Sequence, residues 1–74
     1  MTKSDITGLF YEESDMVFFR NYIQAAHYIS WGAKLWDIFT DSECKLVFVF
    51  SKIDHAKYRE KWSTRKDSEN KEVI

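Results

Sequence analysis

Cys44, His27 and His55 are the side chains best suited to nucleophilic, acid–base or metal chemistry, and they stand well apart in the chain. A structural zinc site needs about four ligands at suitable spacing, which this set does not supply. Glu12-Glu13 and the Asp41/Glu43 pair bring carboxylates together, but both fall in polar segments that read as loops without a companion base. Cys44 as a nucleophile would need an adjacent base and a shaped pocket, and it reads instead as a loop thiol. Gly8 and Gly32 are the only glycines, too few for a phosphate-cradling loop. The expectation is no catalytic residue, no metal and no cofactor.

What remains is surface recognition. In the segment from Asn21 to Gly32, Tyr22, Ala25, Ala26 and Ile29 fall at the spacing of one buried helical stripe. Gln24, His27, Tyr28 and Trp31 repeat that spacing on the other side. With the alanine stripe packed inward, this second face turns rings and hydrogen-bonding groups outward, the mix enriched at protein interfaces. It is the expected partner-binding surface. A second candidate lies further on, where residues 52–66 hold six basic against two acidic groups, a local +4. There Lys57, Arg59, Lys61 and Arg65 could track phosphates while Trp62 stacks on a base. Phe48 and Phe50 would suit the aromatic sheet surface of single-strand binders. The net charge of −1 weighs against this nucleic-acid reading, and a basic run is also what a solvated helix face looks like. The expected partner is a host or cognate protein, with a homodimer as a further possibility and nucleic acid as the alternative.

These residues need elements to position them, and the sequence spells out an α+β fold in the order β–α–β–β–α. Residues 33–40 and 45–50, rich in aromatic and β-branched side chains, form a central antiparallel hairpin around the polar Asp41-Ser42-Glu43-Cys44. Pairing Thr40 with Lys45 sets Trp36 opposite Val49 and Ile38 opposite Val47. Asp37 is then the only charge on a sheet face shared with Phe39, Phe48 and Phe50. Both faces are apolar, so both want cover. Helices are expected near 21–31, capped by Asn21 and closed by Gly32, and at 52–66, capped by Ser51. Residues 14–20 fit either a strand through Val17-Phe18-Phe19 or the start of one long helix, and strand composition favours the former. Residues 6–11 suggest a further short strand.

Seventy-four residues make one domain, here 1–66, followed by a flexible polar tail at 67–74. A chain this short buries only about 60% of its unfolded surface. Three Trp, four Tyr and six Phe supply the compensation. A lone cysteine suits a reducing compartment, and no run is apolar enough for a signal peptide or a membrane span. The expected location is cytoplasmic, with no membrane partner.

Residues 16–62 resemble short β–α–β–β–α proteins of phages and mobile elements from Gram-positive bacteria. The resemblance rests on Val17-Phe18-Phe19, Asn21, Gln24-Ala25, Tyr28-Ile29, Gly32, Asp37-Ile38, the strand from Lys45 to Phe50, and Trp62. It implies that fold and a phage or mobile-element origin, and it carries over no functional residue.

Overall fold

A computed structural model describes residues 1–72, with side chains described for residues 1–64. Val17-Phe18-Phe19 belongs to a strand, β3 (Met16–Phe19), because the chain turns sharply at Asn21 and a long helix never starts. The Asn21 side chain accepts hydrogen bonds from the Ile23 and Gln24 amides at 3.0 and 3.2 Å, satisfying two of the orphan donors of α1 (Tyr22–Ser30). Gly32 ends that helix at φ +109. Ala33 N–H donates to Tyr28 O and Gly32 N–H to Ile29 O, the paired closure that favours glycine just past a helix C-terminus.

The central hairpin joins β4 (Asp37–Thr40) to β5 (Leu46–Ser51). Its register differs by one residue from the expected one: Thr40 pairs with Leu46 and Ile38 with Phe48. The reason lies in the loop. Asp41 carbonyl accepts from Cys44 N–H, Asp41 N–H donates to Lys45 O, and Cys44 takes φ 61. A residue in that left-handed region lengthens the loop to Asp41–Lys45. A one-residue slip exchanges sheet faces, so Asp37 and Phe39 pair with Val49 and Val47 and lie on the other sheet face from Phe48 and Phe50. At the other end Trp36 N–H donates to Val49 O while Asp37 pairs with the same residue. This bulge leaves residues 33–36 outside the strand that was expected to begin at Ala33.

Strand β3 also pairs antiparallel with β5, giving the order β3-β5-β4. Both helices cover one face of this sheet. There Ala25, Tyr28, Ala33, Phe50 and Trp62 form the main core, flanked by Val17, Phe19, Phe48, Trp31 and Tyr58. The opposite face is partly covered by a small N-terminal hairpin, β1 (Thr2–Lys3) with β2 (Phe10–Tyr11), so the strand expected in residues 6–11 is confined to its last two. Tyr11, Met16 and Val49 form a second cluster beneath it, with Trp36 alongside. Ser51 passes directly from β5 into α2 (Lys52–Glu72), its hydroxyl accepting from Asp54 N–H at 3.1 Å. The helix runs past residue 66 to Glu72. The expected mobile tail falls on residues whose side chains, and for 73–74 whose backbone, lie outside the described residues. The strand–helix order of the α+β reading stands.

Candidate functional site

Helix α1 presents the face opposite to the expected one. Tyr28 is 0% exposed, whereas Tyr22 of the alanine stripe is 63% exposed, and Ala26 and Ile29 are exposed with it. Both stripes lie beside Ala25, which faces the sheet either way, so the choice falls to partners elsewhere in the fold. A buried tyrosine contributes more area than an isoleucine, provided its hydroxyl is paired. Here Gln24 Nε2 donates to Tyr28 Oη at 3.4 Å, and His55 Nδ1 lies 3.1 Å from the same oxygen. Burial pushes the Tyr28 phenol pKa up, partly offset by Gln24 and Arg59. Gln24, His27 and Trp31 are half-buried around it. His27 stacks on Trp31 at 5.7 Å, and Trp31 carbonyl accepts from Tyr58 Oη at 3.0 Å. The residues expected to bind a partner therefore join α1 to α2, and Tyr28 belongs to the core.

The nucleic-acid candidates separate in the same way. Lys57, Arg59 and Lys61 are exposed on α2, but Trp62 is 9% exposed and packed in the main core. It offers no face to a base, and neither does Phe50. Lys61 Nζ sits 4.7 Å from the centroid of the Trp31 ring at the end of α1, which ties that cation to the fold, while Lys57 Nζ lies 5.3 Å from the ring of its own neighbour Tyr58. The Arg65 side chain lies outside the described residues.

What the fold does expose is the far side of the sheet. Tyr11 and the turn beneath it are held there by Asp37, which is 6% exposed. Ser4 Oγ donates to Asp37 Oδ1 at 2.5 Å and Tyr11 Oη to Oδ2 at 2.7 Å. Ser4 Oγ also accepts from the Ile6 and Thr7 amides, and Thr7 Oγ1 donates to Trp36 O at 2.7 Å. Burial, together with the hydrogen bond and charge of Asp37, raises the Tyr11 pKa from 10.0 to about 12. Both carboxylate oxygens are thus engaged by hydroxyl donors, which makes Asp37 a fastening point for the hairpin. Serine and threonine point inward to make these bonds, while Met1, Ile6 and Phe10 are left exposed.

Beyond the hairpin's cover, Phe18 and Phe39 stand 45% and 40% exposed on the two edge strands. Their rings meet edge to face with centroids 6.4 Å apart, Phe18 pairing with the buried Val49 and Phe39 with the buried Val47 of the central strand. Arg20 Nη2 and Asp41 Oδ2 close the same end at 2.8 Å. Asp41 is held as a carboxylate, its pKa lowered by the Lys45 and Glu43 amides and the Arg20 charge against the opposing effect of desolvation. At the opposite end an open cleft of about 430 Å³ is lined by Asp15, Met16, Trp36, Ser51, Lys52 and Ile53. Lys34 Nζ lies over the Trp36 ring at 4.3 Å. Aromatic rings and an arginine on a hydrogen-bonded sheet make a rigid surface suited to protein contact. Sequence reasoning named none of Phe18, Phe39 and Arg20 as a site, because their exposure depends on which sheet face the helices choose.

Among the described residues no group of three His, Cys, Asp or Glu side chains gathers to hold a metal ion. None of their helices is long and apolar enough to cross a membrane. No protein-family model, curated protein or solved structure matches the chain.

Proposed function

We propose that this chain is a non-enzymatic protein-binding module, of the kind expected of a phage or mobile-element accessory or inhibitor protein. It acts by covering a functional surface on a host or cognate protein. The observation that carries the reading is the exposed Phe18–Phe39 pair. Two large rings held on a rigid sheet lose little conformational freedom on binding and bring apolar area to the centre of an interface. Arg20 and Asp41 at its rim supply polar contacts that fix orientation. The proposed setting is the cytoplasm, where a lone thiol such as Cys44 stays reduced.

The test is affinity capture from a Gram-positive lysate, with and without nuclease, using the wild type and a Phe18→Ser/Phe39→Ser double variant. Sedimentation of both proteins comes first, because a homodimer through these rings would occupy the platform. The expected result is a nuclease-resistant partner whose affinity falls at least about 30-fold in the double variant, the scale of a hot-spot loss, while the far-UV spectrum is unchanged. Equal capture by both proteins would move the interface elsewhere. A partner lost on nuclease treatment, with salt-sensitive oligonucleotide binding through Lys57, Arg59 and Lys61, would favour the nucleic-acid alternative.

A further inference from the structure

Beside Trp62 in the core and the Tyr58–Trp31 hydrogen bond, an imidazole joins helix α2 to the rest of the fold. His55 sits near the start of α2, and its ring packs 5.3 Å from Phe19 of β3 and 6.0 Å from Tyr28 of α1. Its Nδ1 lies 3.1 Å from Tyr28 Oη. Gln24 already donates to that oxygen, so the phenol's own proton is free to go to Nδ1. The ring is then neutral, with its proton on Nε2.

We propose that His55 is an acid-sensitive clasp, whose protonation loosens α2 from α1 and the sheet. A proton taken from solvent at Nδ1 turns this acceptor into a donor, and the Tyr28 phenol loses the atom it donates to. The new charge would lie against Phe19 and Tyr28, and the groups facing it from α1 and β3, namely Gln24, Tyr28 and Phe19, carry no charge. On α2 itself Arg59, four residues on, is a like charge. Asp54, the residue before, has a carboxylate oxygen accepting from Lys34 N–H at 3.1 Å. Desolvation first and Arg59 second both lower the His55 pKa from 6.5. A base with a depressed folded-state pKa contributes stability that is present above its ordinary value. That stability is lost as pH falls below about 6.5, where the unfolded chain takes up the proton first.

The experiment is thermal melting of the full chain between pH 7.5 and 5, for wild type, His55→Gln and His27→Gln, beside long-range proton–nitrogen NMR of the imidazoles. In wild type and His27→Gln the melting temperature is expected to drop by on the order of 5 °C, roughly a fivefold loss of folding equilibrium constant in a domain this small. In His55→Gln the curve should be nearly flat. The NMR spectrum at pH 7.5 should show His55 with Nδ1 unprotonated and Nε2–H, the tautomer in which Nδ1 can accept from Tyr28 Oη. The clasp is refuted by a protonated Nδ1 at pH 7.5, or by a fall in His55→Gln that matches wild type. If His55→Gln does not fold, the wild-type NMR titration decides: a midpoint at or above 6.5 overturns the proposal, and one below it supports it.

Discussion

Replacing Tyr11 by phenylalanine removes one hydroxyl and leaves a ring of nearly the same shape. That hydroxyl donates to Asp37 Oδ2 at 2.7 Å, and among the described residues Tyr11 and Ser4 are the side-chain donors to the buried Asp37. Hydrogen bonds to a charged group contribute about 1.5–3 kcal/mol each, more than neutral ones, because an unsatisfied buried charge costs more. Tyr11→Phe should therefore cost about 2 kcal/mol, a drop of roughly 8–16 °C in melting temperature for a chain of this length. Ser4→Ala should cost at least as much, since Ser4 Oγ also accepts from two turn amides. Asp37→Ala strands both hydroxyls and should cost about 3–5 kcal/mol, whereas Asp37→Asn keeps one carbonyl acceptor and should cost less. Urea melts followed by tryptophan fluorescence measure each value.

The same bond has a signature in base. The folded-state pKa of Tyr11 lies near 12 against an ordinary 10.0, so between those values the folded chain keeps a proton that the unfolded chain has lost. Stability should therefore fall as pH rises through that window, and Tyr11→Phe should fall less steeply. The raised Tyr28 phenol contributes to both curves, so the difference between them isolates Tyr11. A Tyr11→Phe protein within about 0.5 kcal/mol of wild type, with an unchanged alkaline slope, would show that Asp37 does not fasten the hairpin.

Three further outcomes follow from backbone and core. Gly32→Ala should destabilise by about 1–3 kcal/mol, because φ is +109 and the added Cβ would stand 3.3 Å from a Tyr58 Oη already bonded to Trp31; chemical denaturation checks it. At Cys44, φ 61 makes glycine and a β-branched residue opposite perturbations: Cys44→Gly should stabilise by about 0.5–1 kcal/mol and Cys44→Val should destabilise, both read as shifts of the urea midpoint. On α1, Tyr28→Ala should cost about 3–5 kcal/mol and Ile29→Ala under about 1, the reverse of what the alanine stripe suggests, as paired thermal melts would show.

Local chemistry explains which parts of this fold were legible in the sequence. Asn21, Gly32 and Ser51 mark helix ends through bonds made within a few residues of themselves, and each acts where its residue type places it. Register was not legible, because it turned on Cys44 accepting a left-handed conformation that its side chain does not favour. The rotation of α1 buries Tyr28 among rings from distant elements, with His55, remote in sequence, 3.1 Å from its hydroxyl. The candidate site inherits both choices. Phe18 and Phe39 share a face only in the observed register, and that face is open only because the helices took the other one. Asp37 did stand out as a charge in an apolar strand, yet its partners Ser4 and Tyr11 lie in a segment whose own pairing spans only two residues per strand. Such a short hairpin has little stability in isolation, so its place in the fold depends on the carboxylate it covers. The acid that looked misplaced on an apolar sheet is what allows eleven N-terminal residues, with serine and threonine turned inward, to close one half of that face and leave the phenylalanine pair open on the other.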